Sequence, residues 1–192
     1  MNKKRIKQMN TLLLRRPEQA GCAFLGASVD GGDRLHAQFS RAGTDRRCGR
    51  ANCNGCSCTA CLHFGEQGSC FYGGPMVEEV YPAVRRCDAL VMLCANYNDA
   101  LSANLTACVN RLTALFRQQR FYDKRLFGLI VSGYSGGDLL ARQLISALNM
   151  NKSFFLPPHF CLLETANERG SLIRLPGIAR LAHEFAAQLS RS

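Results

Sequence analysis

The chain has 192 residues, 47% of them hydrophobic, and a formal net charge of +10. That length and composition allow one sizeable core, so a single domain is the default expectation. No apolar run approaches the roughly 20 residues that a membrane-spanning helix needs, and the basic start "MNKKRIKQMNTLLLRRPEQ" is apolar only at Leu12 to Leu14, too short a stretch for a secretory leader.

These features point to a cytoplasmic protein. The charge is uneven. Residues 1–50 hold eleven Lys/Arg against four Asp/Glu, or +7, and residues 51–192 hold thirteen against ten, or +3. A basic arm over 1–20 can attract a polyanion, but it has no recognition motif and no interleaved aromatics, so nucleic-acid binding is not expected. A basic surface also suits anionic phosphate cofactors.

In chain order, "GCAFLGAS" (21–28) is the best candidate for a first strand, and "GGDRLHAQFSRAG" (31–43) for a helix after it. No second strand is legible between that helix and the cysteines. The segment 48–70 holds six of the eleven cysteines. A reducing compartment disfavours a disulfide framework, so close-set cysteines there point to metal or redox work. Their spacing is Cys53-x2-Cys56-x1-Cys58-x2-Cys61-x8-Cys70, with two C-x2-C pairs, a strong metal pattern. Zinc would accept such thiolates tetrahedrally, with His63 as a further donor. Free or redox-active thiols are the other reading. Cys87, Cys94, Cys108 and Cys161 lie among apolar residues and read as small buried hydrophobes, as does Cys22.

The remainder alternates. "MVEEVYPAVRR" (76–86) reads as a helix that Pro82 should bend or split. "DALVMLC" (88–94) is a continuous apolar run, as expected for a strand covered on both faces. A helix is expected over 99–119, with Asp99 as its N-cap and Leu101, Leu105, Leu112, Leu115 and Phe116 on its apolar face. "RLFGLIVS" (125–132) is a second buried strand. "GDLLARQLISALNM" (137–150) is a helix with Leu140, Leu144, Ala147 and Leu148 on one face. A third strand falls within 153–164, interrupted by Pro157 and Pro158. A closing helix over 176–191 turns Ile178, Leu181, Phe185 and Leu189 to the core. This order predicts an α/β fold: a doubly wound parallel sheet with helices on both faces, in three layers.

In such a sheet, ligands bind outside the carboxyl ends of the strands. The loops there are "ASVDGGD" (27–33), "ANYNDALSA" (95–103) and "GYSGGD" (133–138). All are small, hydroxyl or amide residues, suited to bringing backbone N–H groups near a phosphate. Tyr97 and Tyr134 could stack on a flat ring.

From about Cys58 to about Asp138 the sequence resembles the NADPH-dependent FMN reductase family of flavodoxin-like proteins, especially its iron–sulfur flavoprotein branch. The segments that carry the resemblance are "CTACLHFGEQGSC", "MVEEVYPAVRRCDALVMLC", "ANYNDALSANLTACVNR" and "LFGLIVSGYSGGD". It implies a flavodoxin-like fold over 21–192, with the cysteine-rich insert at 48–70. It implies FMN as cofactor, NAD(P)H as electron donor and a homodimer or larger assembly that exchanges electrons with a small molecule or a protein. The flavin-ring loop would map onto Ala95, Asn96, Tyr97, Asn98 and Ser102. A second contact region would map onto Ser132, Gly133, Tyr134, Gly136 and Gly137. The phosphate loop would fall on Ser28 to Asp33, including Gly31 and Gly32. The same branch implies a [4Fe–4S] cluster on Cys53, Cys56, Cys61 and Cys70, with Cys58 or Cys48 as substitutes, and zinc as the alternative metal.

The sequence departs from the family pattern in four places. Ala95 stands where a proline is usual, Asn110 precedes Arg111 where Asp is common, and "GGPM" lacks an acidic pair. The loop 27–33 is short and holds Asp30 and Asp33, and aspartate beside a phosphate is unfavourable unless it caps a helix. The implied activity is an FMN-dependent oxidoreductase. The alternatives are a non-enzymatic electron carrier with the same cofactors, and a zinc-stapled binding module on a degenerate flavodoxin-like fold. No catalytic acid or base stands out.

Overall fold

The computed structural model describes residues 22–26, 76–96, 98–168 and 171–189. The arm at 1–20, the helix expected over 31–43 and the cysteine-rich segment at 48–70 lie outside the described residues.

Among the described residues, four strands form one parallel sheet in sequence order: β1 (Cys22–Gly26), β2 (Ala89–Ala95), β3 (Arg125–Ser132) and β4 (Cys161–Thr165). Every residue of β2 is buried, and every residue of β3 except Arg125. Continuous apolar runs of this kind suit strands covered on both faces. The two faces carry separate cores. On one face, Leu90, Met92, Cys94, Leu126 and Ile130 pack under three helices, supplied by residues such as Val84, Leu112 and Leu144. On the other, Val91, Leu93, Phe127, Leu129 and Val131 meet Ile178, Phe185 and Leu189 of the closing helix. Helices therefore cover both faces, as the alternation of elements predicts.

The first described helix, α1, begins as a π turn (Met76–Val80) and continues as α-helix (Tyr81–Arg86), with Pro82 in the first turn of the α-helical part. The change of winding sits where the proline removes an N–H donor. Helix α2 is Ala103–Gln118, not 99–119. Its N-cap is Ser102, whose Oγ accepts from the Leu105 N–H, and not Asp99. Asp99 lies upstream in a turn with φ 59°, outside helical geometry. Helix α3 is Gly137–Leu144, prolonged by a π turn at Ile145–Met150. Helix α4 is Ile178–Leu189. None of the described helices is long and apolar enough to cross a membrane.

The strand expected within 153–164 is split at its prolines into an isolated bridge at Phe155 and β4 at Cys161–Thr165. Phe155 pairs with the start of β3, donating to the Lys124 carbonyl and accepting from the Leu126 N–H, both at 2.8 Å. Pairing resumes where the Gly128 N–H donates to Phe160 O at 2.7 Å. Pro157 and Pro158, which have no N–H to give, lie between.

Helix C-termini arrive at the amino edge of the sheet, where cations meet their last carbonyls. Lys124 is buried, and its Nζ donates to Arg85 O (3.0 Å) and Cys87 O (2.8 Å) at the end of α1. Arg125 donates to Gln188 O and Leu189 O, both at 3.2 Å, at the end of α4. Lys152 donates to Ala147 O beyond α3. A positive side chain at a helix C-terminus satisfies orphan carbonyls and complements the dipole.

Cys87, Cys94 and Cys108 are buried free thiols, as expected, and Cys161 is half-buried. Burial pushes the Cys161 thiol up to about 12. Cys94 is raised further by burial, with the nearby Cys161 adding to it. Neither is a nucleophile at neutral pH, since reactivity follows the thiolate.

Two measurements check this framework. Lys124→Met keeps the apolar stem but leaves two carbonyls without their charged donor. It should cost about 2–3 kcal/mol in urea unfolding, and a loss below about 0.5 kcal/mol would refute the capping role. The unfolded Cys161 thiol ionises near 9.0, whereas the folded one holds its proton to about 12. Stability should therefore be fully present below pH 9 and fall as pH rises through that window. Cys161→Ala should flatten the fall relative to wild type.

Candidate functional site

The loops after β2 and β3 meet at the carboxyl edge of the sheet. The connection starts with the backbone: the Asn96 N–H donates to Val131 O at 2.9 Å, continuing the β2–β3 ladder by one residue. The Asn96 side chain then crosses to the second loop. Its Nδ2 donates to Ser135 O at 2.7 Å and lies 3.3 Å from Ser132 Oγ. The same amide folds back on its own loop. Oδ1 accepts from the Asp99 N–H at 2.8 Å, and Nδ2 lies 3.3 Å from Asp99 Oδ1.

Helix α3 reaches the same turn from the other side. Gln143 Oε1 accepts from the Leu101 N–H, and its Nε2 donates to Asp99 O, both at 3.1 Å. Asn98 and Asp99 both have left-handed backbones, with φ 53° and 59°. Asn and Asp tolerate that region better than other residues with a Cβ, because their short polar side chains bond locally. Across the gap, Gly136 caps α3 with φ 82°. A Cβ there would fall on the Asp99 carboxylate. A Cβ at Gly137 would lie 3.1 Å from both Leu163 Cδ2 and Ser132 Oγ. The glycines thus permit a close approach of backbone and side chains.

The edge of β4 contributes as well. Thr165 Oγ1 donates to Tyr134 O at 3.3 Å, and the Ala166 N–H donates to Ser132 O at 2.8 Å. Tyr134 itself stands out with its side chain 79% exposed. Burial raises the Glu164 carboxyl above the ordinary carboxylate range.

Of the residues singled out from sequence, Ala95, Asn96, Asn98, Ser102, Ser132, Gly133, Tyr134, Gly136 and Gly137 lie on β2, β3 or their carboxyl-end connections. Ala95 and Ser132 are buried strand ends, and Ser102 caps α2. Tyr97, Ser28, Gly31 and Gly32 lie outside the described residues, as do Cys53, Cys56, Cys61 and Cys70. Among the described residues no group of three or more His, Cys, Asp or Glu could hold a metal ion. Sequence reading missed Gln143, one polar residue among several on an amphipathic helix. It also missed the β4 edge at Thr165, one residue past the expected strand end at 164.

Fold and site together define a flavodoxin-like α/β protein whose polar loops gather at the carboxyl edge of a parallel sheet. The family model for NADPH-dependent FMN reductase matches residues 55–168, and the chain belongs to that family. Strand β1 and the loop at 27–33 precede the matched range. The comparison with curated proteins gave no match. A solved structure of RosB with a bound intermediate, 8-demethyl-8-formylriboflavin-5'-phosphate, is similar to the chain at a TM-score of 0.51 and 13% identity. The likeness covers 88% of this chain and 78% of that one. At that identity it speaks for the shared fold.

The tightness of the loop contact can be measured against a control. Gly177 also has a left-handed backbone (φ 76°), but a Cβ there meets nothing within 4 Å. Gly177→Ala should cost only the backbone term, about 1–2 kcal/mol. Gly136→Ala should cost clearly more in the same urea titration, because it also displaces the Asp99 carboxylate. Equal losses would mean that Asp99 gives way freely.

Proposed function

We propose that the chain is an FMN-dependent oxidoreductase that takes electrons from a reduced nicotinamide, NADPH by the description of its family. The observation that carries this reading is the fastening of the β2 loop to the β3 loop and to α3 at the sheet edge, inside the family-matched range. The ring of a flavin is flat, with apolar faces and a polar edge. The loops suit it: Gly136 and Gly137 leave backbone open at close quarters, and the exposed Tyr134 offers an aromatic face.

Ala95, Asn96, Tyr97, Asn98 and Ser102 would lie along one side of the ring. Ser132, Gly133, Tyr134, Gly136 and Gly137 would lie along the other. The phosphate would fall to Ser28, Gly31 and Gly32 in the loop after β1, the strand beside β2 in the sheet. When bound, FMN supplies the redox chemistry, accepting a hydride and passing electrons on. The protein supplies position and electrostatics. The buried ends of β2 and β3 fix the depth of the site, and the hydrogen-bonded turn at Asn96–Asp99 fixes its rim. That RosB is described with a flavin phosphate derivative bound supports this ligand class on this fold.

Cys53, Cys56, Cys61 and Cys70 would hold a [4Fe–4S] cluster that exchanges electrons with the flavin, and zinc is the metal alternative. The C-x2-C spacing supports a metal, and the resemblance to the iron–sulfur branch supports the cluster.

The test is the absorption spectrum of the chain purified without oxygen, with iron and zinc measured on the same sample. The expected result is flavin bands, about four irons per chain and bleaching of the flavin by NADPH. Flavin without iron would remove the cluster and leave the oxidoreductase. A colourless protein that takes up no added FMN and carries about one zinc would overturn the reading.

A further inference from the structure

The orientation of two side-chain amides at the sheet edge is fixed by the backbone groups they meet. Asn96 Oδ1 faces the Asp99 N–H at 2.8 Å, and its Nδ2 faces the Ser135 carbonyl at 2.7 Å. A flipped amide would set donor against donor and acceptor against acceptor. Gln143 is fixed in the same way, with Oε1 on the Leu101 N–H and Nε2 on the Asp99 carbonyl. The two amides come from different elements, one from the end of β2 and one from α3, and they grip the same residue. Asp99 has its N–H held by Asn96 and its carbonyl held by Gln143.

Capacity matters here. An amide nitrogen has two hydrogens. Asn96 Nδ2 has three oxygens within 3.3 Å: Ser135 O, Ser132 Oγ and Asp99 Oδ1. Its donors are therefore used within the protein, which argues against Asn96 as a hydrogen-bond donor to a ligand. Asn96 can lie beside the ring through its backbone and carbon atoms while its side-chain amide holds the rim.

We infer that Asn96, which ties the β2 loop to the β3 loop, and Gln143, which ties the β2 loop to α3, are positioning residues that clasp this edge into one preformed receptor for the ring of the cofactor. This rests on the flavin reading given above. The physical effect is preorganisation. A loop ordered before binding adds no ordering cost at the moment of binding, and affinity rises by that amount. Without the clasp, the left-handed turn at Asn98 and Asp99 has lost what holds it, and the β2 loop must be reordered by the ligand. The effect should therefore appear in cofactor affinity far more than in the stability of the empty protein. The Gln143 partners lie at an exposed or half-buried rim where water can replace the side chain.

The experiment is an FMN titration of the full-length chain, followed by quenching of the flavin fluorescence, with thermal melting of the FMN-free protein alongside. Gln143→Met keeps length and removes both hydrogen bonds. It should weaken FMN binding about tenfold while the melting temperature stays within about 2 °C of wild type. Wild-type affinity in Gln143→Met would overturn the inference, and so would a loss of affinity matched by a large fall in melting temperature. A second variant gives an independent readout. Asn96→Asp introduces a carboxylate that cannot donate to Ser135 O at neutral pH but can when protonated. The Ser135 carbonyl and the Asp99 carboxylate facing that position lift the new carboxyl above its ordinary value of about 3.9, so affinity relative to wild type should be poorest near pH 8 and recover as pH falls through 5 towards 4. A ratio that does not change with pH would overturn the clasp. A wild-type chain that binds no FMN would instead overturn the flavin reading, and the inference with it.

Discussion

Burial of the central strands on both faces is the constraint from which the other features follow. β2 and β3 present buried side chains alternately to two cores, and parallel strands must be joined by crossovers that return over a face. Helices α1, α2 and α3 cover one face and α4 the other. Each crossover carries the chain back from the carboxyl edge to the amino edge. Helix C-termini therefore gather at one edge of the sheet, and the loops that lead into helices gather at the other.

That polarity sorts the polar side chains. At the amino edge, carbonyls with no partner inside their helices are met by Lys124, Arg125 and Lys152. Each works as a cation against the negative end of a helix. At the carboxyl edge the fastening is done mainly by neutral groups: Asn96, Gln143, Thr165 and the hydroxyl of Ser102. Directional bonds from amides fix geometry without adding a charge. An edge built in this way can be rigid without placing further charge at the rim. The exposed Asp99 carboxylate is the exception, and it is held between the amide of Asn96 and the backbone at Gly136.

The strands were legible because burial on both faces writes itself as an uninterrupted apolar run. The expected 125–132 is the observed β3, and 88–94 differs from β2 by one residue at each end. The prolines at 157 and 158 marked the break between Phe155 and β4 because a residue without an N–H cannot join a ladder. The start of α2 was misread for an equally physical reason. Asp99 and Ser102 are both good capping residues, and nothing in the sequence decides between them. The decision comes from Gln143, 44 residues further on, which takes the Asp99 carbonyl. Contacts between loops of different elements leave no periodic trace, so the positions of candidate site residues could be read while the bonds joining them could not.

Two consecutive non-glycine residues in the left-handed region, Asn98 and Asp99, carry a backbone cost of at most about 1–2 kcal/mol each, eased by their short polar side chains. Such strain persists only where the surroundings determine the conformation more strongly than the backbone does. Here the surroundings are specific. Turning Asp99 to helical geometry would release its N–H from Asn96 and its carbonyl from Gln143, and would withdraw its carboxylate from Gly136. Three attachments on one residue outweigh one further turn of helix, so α2 begins at Ala103 behind its Ser102 cap. The start of the helix is thus decided by the needs of the loop edge and not by the helix itself. The strained pair lies in the loop that the family resemblance assigns to the flavin ring, where a turn kept out of the helix leaves backbone groups at the rim of the sheet.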